Sequence, residues 1–398
     1  MKVLVCPLDW GLGHAARCIP LIRALLVNGH QVVVGAGGGG KRLLEQELPA
    51  IPVYDFPGYQ VRYSRTAALF LPVLALQLPA VAAGMLAEHR RLRGLLAAHR
   101  PDVVISDGRY GVQTRRLPCF FITHQIRIRV SRGFPGAAAA ERLLLALNTR
   151  LLRRFREVWV PDFPGPANLS GALSHPPDKP ALTSEKKSAF PANLAFIHPL
   201  SRFGGAAPPG GPGPAPDRAV DILAVVSGPE PQRSLFEEIM ARELERLPGT
   251  RVLVRGLPGP SPAPPRRAGP LPLHPGGLNR FDHLDGPDLE ALFRSAALVV
   301  ARSGYTTVME LSALGKRGVV LVPTPGQSEQ EYLADHLQAG KVALRMDQDR
   351  LDLSRAREAL AGFSGFPSAQ VGPDGRDFSL RAFIAAHPLF QTGSGKGS

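Results

Sequence analysis

A glycine-spaced turn near the start of the chain is the first feature that could bind a ligand. Gly11-Leu12-Gly13-His14 joins an apolar run to a helical pattern and fits G-x-G-x-x-A, the dinucleotide fingerprint. That fingerprint also needs an acidic residue at the end of the next strand to hold the ribose, but "VVVGAGGGGK" supplies none. The turn therefore predicts a tight helix start. Its His14 is either a general base or an ordinary cap or solvent-facing histidine.

A second turn lies three hundred residues further on, in "ALVVARSGYTTVMELSALGK". A strand is expected to end at Ala301, and the Arg302-Ser303-Gly304 turn to open a helix near Thr306. Backbone N–H groups at a helix start favour an anion. Glu310, about one turn inside, could accept two hydrogen bonds from the vicinal hydroxyls of a ribose, or be a carboxylate that the helix dipole stabilises.

Two further polar groups follow strand-like runs in the same half. Ser227 and Gly228 come directly after "DILAVV" and predict either a phosphate loop or an ordinary turn. "PTPGQSEQEYLADHL" places Gln327, Gln330 and Glu331 at the start of the next helix. This cluster could read sugar hydroxyls or be a solvated helix start.

The elements that must position these residues alternate between strand and helix, which predicts parallel sheets with crossover helices. The rhythm stops near Phe163 and resumes after "FGGAAPPGGPGPAPDR", a segment too rich in Pro and Gly to form a core. We expect an N-terminal α/β domain over 1–163, an irregular junction over 164–218 and a second α/β domain over 219–362. The remainder, 363–398, is expected to hold a helix returning to the first domain, then a disordered tail.

The composition and the motifs exclude several classes of protein. The 398 residues are 44% hydrophobic, which predicts a globular protein. The formal net charge of +14 implies attraction to phosphates of some kind, but it does not say which and is discounted as evidence of function. No zinc-finger, RNA-recognition or aromatic-interleaved basic motif is present, so nucleic acid is not the expected partner. Three widely spaced cysteines predict neither disulfides nor a zinc site, and the short apolar start is no signal peptide. We expect a cytoplasmic protein.

One uncharged stretch, Thr66 to Ala87, is long enough to span a bilayer. Pro72, Pro79, Gln77 and the Arg-rich continuation "EHRRLRGLLAAHR" favour a buried or surface helix instead. The sequence therefore leaves peripheral contact with the inner membrane face open.

Together, "GLGHAAR" and "RSGYTTVMELSALGK…VLVPTPGQSEQEYLADHLQAGK" resemble the GT-B glycosyltransferases of family 28. "PLDWGLGHAARCIP", "VISDGRYG", "FITHQ" and "SGPEPQR" are closer still to a bacterial branch of predicted glycosyltransferases. The resemblance spans both domains and implies two Rossmann-like domains facing each other across a cleft that holds the chemistry.

Residue by residue, the resemblance implies a UDP-sugar site in the second domain. The ribose-binding glutamate falls on Glu310, and a sugar-binding glutamine falls on Gln330. The neighbouring family glutamine is Glu331 here, which removes an amide donor and argues against N-acetylglucosamine as donor sugar. The remaining matches are the glycine loop Gly11 and Gly13, the phosphate loops Ser227-Gly228 and Arg302-Ser303-Gly304, and a uracil pocket near His283 and Leu284.

The resemblance also implies an inverting transfer to an acceptor hydroxyl, which needs a base and a stabilised leaving diphosphate. His14 is the candidate base, with Asp107 orienting it and His124 as the alternative base. Helix starts after Ser227 and Gly304, together with Arg302, would stabilise the diphosphate without a metal or other cofactor.

The acceptor is unknown, and a lipid-linked one suits the uncharged segment 66–87. Two alternatives stay open: a UDP-sugar epimerase of the same fold, and a non-catalytic protein that binds nucleotide sugars or a membrane surface.

Overall fold

The structure is a computed structural model in which the chain forms two compact units. Unit 1 comprises residues 1–200 and 370–398, and unit 2 comprises residues 201–369. The residues described are 1–58, 70–130, 135–176, 190–203, 220–257, 271–367 and 379–391, without the side chains of 70–76 and 78.

Unit 1 is built on a seven-stranded, fully parallel sheet with strand order β3-β2-β1-β4-β5-β6-β7. Its strands are β1 (Lys2–Pro7), β2 (Gln31–Ala36), β3 (Val53–Asp55), β4 (Val103–Asp107), β5 (Cys119–Ile122), β6 (Glu157–Val160) and β7 (Leu194–Phe196). The central strands are almost wholly buried, as expected where helices cover both faces of a parallel sheet.

Among its described residues, unit 1 has four helices that lie between its strands in the sequence and a fifth that comes after unit 2. They are α1 (Gly13–Val27), α2 (Gly38–Glu47), α3 (Phe70–His99), α4 (Ala137–Leu152) and α10 (Leu380–Ala386). The strand order reverses between β1 and β4, and the crevice outside the carboxyl ends at such a point is where open α/β sheets bind ligands.

The C-terminal helix α10 completes unit 1. Asn28 Nδ2 donates to the Arg381 carbonyl at 3.3 Å, and His387 Nε2 lies 3.1 Å from Glu157 Oε2. Phe390 packs against the buried rings of Phe120 and Trp159, with centroids 5.6 and 5.8 Å apart. Part of the core of unit 1 is therefore supplied by residues that follow unit 2 in the sequence.

Unit 2 contains a six-stranded parallel sheet of order β10-β9-β8-β11-β12-β13. Its strands are β8 (Val220–Val225), β9 (Arg251–Val254), β10 (Leu278–Phe281), β11 (Ala296–Ala301), β12 (Val319–Leu321) and β13 (Leu344–Arg345). Its helices are α5 (Gln232–Glu245), α6 (Gly286–Ser295), α7 (Tyr305–Ala313), α8 (Ser328–Ala339) and α9 (Ala356–Ala359). The order reverses between β8 and β11, which again places a crevice at their carboxyl ends.

The unit boundaries differ from those expected from sequence. Unit 1 continues past residue 163 to Leu200, because β7 adds to the sheet beside β6. This three-residue strand lies between Pro-rich stretches, which hid it from the pattern. At the other end, 363–367 lies in unit 2, where the Phe366 N–H donates to the Lys316 carbonyl at 2.9 Å.

The uncharged stretch 66–87 is described only in part. Residues 66–69 lie outside the described residues, and from Phe70 the chain is in α3. Among the described helices, none combines the length and the apolar character needed to cross a membrane. The Pro/Gly segment 204–218 and most of the tail also lie outside the described residues.

Candidate active site

In unit 1 the predicted base and its predicted partner lie side by side. Pro7 at the end of β1 pairs in register with Asp107 at the end of β4, and α1 begins six residues after Pro7, at Gly13. His14 Nδ1 lies 3.0 Å from Asp107 Oδ2. The Asp107 side chain is fully buried and that of His14 is 22% exposed, so the imidazole is the accessible member of the pair.

Arg17, a buried residue that the sequence patterns did not predict, contacts the three predicted residues of this site. Arg17 Nε lies 3.0 and 2.9 Å from the two Asp107 oxygens, and its Nη2 also contacts Oδ1. Nη2 is 2.9 Å from His14 Nδ1, and Nη1 is 3.4 Å from His124 Nδ1. Arg17 follows His14 by three residues on one helix, a spacing that puts both on one face and could have revealed it.

Burial and the neighbouring charges determine the protonation states of Asp107 and His14. Burial alone would raise the Asp107 pKa, but Arg17 and His14 lower that pKa well below its usual range. The pKa of His14 is lowered by burial and by the Arg17 charge, against the opposing pull of Asp107. At neutral pH the site therefore holds an ionised carboxylate and a neutral imidazole, the form of histidine that can accept a proton.

Glycine shapes the surroundings of His14. Gly108 has φ +75°, and a Cβ there would come within 3.1 Å of the His14 Cε1 atom. Gly11 has φ +79° with open space around it, so this glycine is required by the turn. Gly13 is the first residue of α1. His124 lies just past the end of β5 and is buried, which makes it the less accessible of the two histidines.

A second buried charge cluster lies beside this network. Arg109 Nη1 donates to Glu88 Oε1 at 3.2 Å, its Nε to the Pro7 carbonyl at 2.7 Å, and Asp9 Oδ1 is 3.6 Å from Nη2. Burial raises the Glu88 pKa to about 7, despite the Arg109 charge. Because Glu88 belongs to α3, the cluster joins that helix to the ends of β1 and β4.

In unit 2 the predicted phosphate loops lie on neighbouring strands. Val225 at the end of β8 pairs with Ala301 at the end of β11, so Ser227 and Ser303 follow adjacent strand ends. Helix α7 begins directly after the second turn, at Tyr305, and α5 begins at Gln232, four residues after Gly228. Gly228 has φ +113° with no atom near its Cβ position, which leaves the backbone open to a ligand. Two helix N-termini at one sheet edge can hold a diphosphate.

The structure corrects the role expected for Arg302. Its side chain is 1% exposed, and its guanidinium lies 3.9 Å from the centroid of the Phe236 ring. Its Nη1 and Nη2 atoms donate to three backbone carbonyls and one side-chain amide, those of Val322, Pro323, Gln232 and Gln348. With these donors occupied inside the unit, Arg302 supports the turn and does not reach a phosphate.

Glu310 is held in place by an ion pair. Its Oε1 accepts from Arg202 Nε at 2.8 Å, and the two side chains are 8% and 13% exposed. Phe203, beside Arg202, packs on Phe293 with ring centroids 5.6 Å apart. Arg202 is a second residue absent from the sequence prediction, because nothing in the linker pattern links it to a helix a hundred residues away.

The polar cluster at the start of α8 is ordered by its own hydrogen bonds. Gln330 Oε1 accepts from the Thr324 N–H at 2.9 Å, and its Nε2 donates to Gln327 Oε1 at 2.6 Å. Glu331 Oε1 accepts from the Gly326 N–H at 3.0 Å. These contacts fix the loop between β12 and α8 at the same sheet edge as the phosphate loops.

The remaining predicted residues lie at the same edge. His283 and Leu284 follow β10, and Leu284 is buried. Thr306 lies in the first turn of α7. Within the described part of the chain, no cluster of three or more His, Cys, Asp or Glu side chains is arranged to hold a metal.

Comparison with known proteins identifies the architecture. Residues 286–363 match the glycosyltransferase family 28 C-terminal domain. An uncharacterised glycosyltransferase of Methanosarcina acetivorans is 25% identical over 371 residues, covering 87% of this chain and 84% of the relative. The spinosyn rhamnosyltransferase SpnG, solved with thymidine diphosphate, superposes with a TM-score of 0.55 at 18% identity, covering 92% and 93% of the two chains.

A shorter match is to an N-acetylglucosamine transferase. The UDP-N-acetylglucosamine--N-acetylmuramyl-(pentapeptide) pyrophosphoryl-undecaprenol N-acetylglucosamine transferase of Methylobacterium nodulans is 39% identical over 86 residues, 21% of this chain and 23% of that enzyme. These comparisons confirm both the GT-B fold and the resemblance to family 28 that the motifs predicted.

Proposed function

We propose that this chain, a family 28-type glycosyltransferase of the GT-B fold, moves a sugar from a UDP-sugar to an acceptor hydroxyl with inversion at the anomeric carbon. The observation that carries the proposal is the contact between His14 Nδ1 and Asp107 Oδ2 at the carboxyl edge of a parallel sheet. It gives the fold a neutral, partly exposed imidazole whose orientation a buried carboxylate fixes.

The proposed binding of the UDP-sugar donor is supported by residues of unit 2. The stretch that matches the family 28 domain contains Glu310, Gln330 and both residues of the Ser303-Gly304 turn. The Glu310 carboxylate would accept the two ribose hydroxyls, and the starts of α5 and α7 would stabilise the diphosphate without a metal ion. UDP is favoured over dTDP because the local match of 39% identity is to an enzyme named for a UDP-sugar.

The proposed transfer is one displacement in which two bonds form and two break. The acceptor oxygen attacks the anomeric carbon while its proton passes to His14 Nε2. The bond between that carbon and the diphosphate oxygen breaks, and the electron pair leaves with UDP. Asp107 stays ionised throughout and stabilises the imidazolium that forms. One displacement with no covalent intermediate inverts the anomeric configuration.

The acceptor is proposed to be lipid-linked. Unit 1 exposes large apolar side chains on two helices, Leu86 on α3 and Leu143 and Leu147 on α4, with 59%, 62% and 52% of their surface accessible. Exposed arginines lie near them, at Arg90 on α3 and Arg150 on α4. Leucine beside arginine favours the boundary between anionic headgroups and acyl chains.

The test measures nucleotide binding and turnover separately. We expect UDP to raise the melting temperature more than dTDP does, with EDTA causing no change. Release of UDP from a UDP-sugar should then depend on added membrane lipid extract, with the product anomer assigned by NMR.

His14→Asn should abolish release at unchanged UDP affinity, while the matched variant His124→Asn keeps activity. Retained transfer in His14→Asn would reject the base. A retained anomeric configuration would reject the single displacement, and formation of a free epimerised sugar would favour the epimerase.

A further inference from the structure

The buried guanidinium of Arg17 contacts His14, Asp107 and His124. In the part of the chain that the structure describes, the charged or titratable groups that act on His14 are Arg17 from α1, Asp107 from β4 and His124 from the segment after β5. The thiol of Cys18, also on α1, contacts Asp107. The Arg17 side chain is 3% exposed and that of Asp107 is fully buried. A buried bidentate arginine–carboxylate pair is rigid, because two parallel hydrogen bonds fix both planes.

The position of the His14 proton depends on this pair. His14 Nδ1 is 3.0 Å from a carboxylate oxygen and 2.9 Å from Arg17 Nη2, so it can either donate to the first or accept from the second. Nη2 has two hydrogens, so its contact with Asp107 Oδ1 does not by itself exclude a second contact to the imidazole. Without a proton on Nδ1, however, two acceptor atoms, His14 Nδ1 and Asp107 Oδ2, would face each other at 3.0 Å. This contact favours the proton on Nδ1.

We infer that Arg17 is the positioning residue of this site: it clamps Asp107 so that Oδ2 faces His14 and the Nδ1 proton points to Asp107, leaving Nε2 as the proton-accepting atom. This inference rests on the proposed function for its catalytic meaning, but the clamp itself is independent of any substrate. Arg17 contacts no reacting atom in this scheme, and acts only through Asp107 and His14.

The clamp has an electrostatic consequence as well. The Arg17 charge offsets that of Asp107, so the carboxylate fixes the imidazole without drawing a proton onto it from solvent. Removing the cation while keeping the carboxylate should therefore make His14 easier to protonate. Replacing arginine by lysine keeps the charge but loses the fork that holds both oxygens.

NMR of the full chain with 15N-labelled histidine tests this without turnover, with His14 assigned through His14→Asn. In the wild type we expect the Nδ1–H form of neutral His14, and in Arg17→Met a titration midpoint higher by about one pH unit or more. Arg17→Lys should keep the wild-type midpoint while the transfer rate falls about tenfold or more at unchanged UDP affinity, because Asp107 is no longer held at two points.

Should Arg17→Met fail to fold, the same comparison is made between Asp107→Asn and the double variant Arg17→Met/Asp107→Asn, whose midpoint should be the higher of the two. An Nε2–H form in the wild type, or a midpoint that Arg17→Met leaves unchanged or lowers, would overturn the inference. Because these readings need no donor or acceptor, they stand apart from a failure of the proposed transfer reaction.

Discussion

The pairing of Glu88 with Arg109 makes a quantitative prediction about unit 1. The two side chains are 1% and 0% exposed, and burial raises the Glu88 pKa from 4.5 to about 7. A pKa that is higher in the folded state gives stability that is fully present below pH 4.5 and lost as the pH rises through 7. At 1.36 kcal/mol per pH unit, the loss approaches about 3 kcal/mol.

Glu88→Gln mimics the protonated acid and should remove this loss. The free energy of unfolding of the variant should equal that of the wild type at pH 4 and exceed it by about 3 kcal/mol at pH 8. Urea denaturation at several pH values, followed by the fluorescence of Trp10 and Trp159, both in unit 1, measures the difference. If the ion pair with Arg109 is instead favourable, Glu88→Gln should lower the free energy of unfolding, since removing one partner of a favourable buried ion pair costs about 3–5 kcal/mol. A variant less stable than the wild type at pH 8 would show that the ion pair with Arg109 outweighs the cost of burying the Glu88 charge.

Three further predictions concern unit 2 and the surface. Glu310→Gln should weaken UDP binding about 10- to 100-fold by calorimetry, because hydrogen bonds to a charged group are worth about 1.5–3 kcal/mol; unchanged affinity would remove Glu310 from the donor site. Arg302→Lys should lower the melting temperature of unit 2 yet leave UDP affinity within about threefold, since its donors hold carbonyls; a selective loss of affinity would restore a phosphate role. Leu143→Ser combined with Leu147→Ser should reduce binding to anionic vesicles about tenfold or more at unchanged melting temperature, whereas the exposed Leu235→Ser in unit 2 should not. Equal binding by all three proteins would argue against contact through α4.

The sequence patterns predicted the strands and the parallel sheets well, because these features depend on residues that are close in the sequence. Strands such as "VVISD" and "ALVVA" are short, β-branched and buried on both sides, and the parallel arrangement follows from their alternation with helices. The pairing of His14 with Asp107 was also predictable, because the doubly wound order places the first and fourth strands side by side, with His14 just after β1 and Asp107 at the end of β4. The placement of Ser227 and Ser303 at adjacent strand ends followed from the same logic.

The arginines that the sequence patterns did not predict all contact carboxylates that are distant in the sequence. Arg17 and Arg109 reach carboxylates some ninety and twenty residues away, and Arg202 reaches Glu310 over a hundred. Apart from the three-residue spacing between His14 and Arg17, an arginine in a chain so rich in arginine carries no signal until its partner is placed beside it. Arg302 shows the reverse error: it occupies a phosphate-loop position in the pattern, but its length lets it turn inward to carbonyls that no local pattern predicts.

Helix α10 has a consequence for how this protein is made. The ring of Phe390 covers Phe120 and Trp159, yet the ribosome synthesises all of unit 2 before that ring emerges. Unit 1 must wait with part of its aromatic core uncovered, while unit 2 is contiguous and can fold as soon as it is complete. For the same reason a fragment ending at Leu200 would lack its last core layer, and restoring that layer would need residues 379–391, with α10 and Phe390, fused back through a short linker.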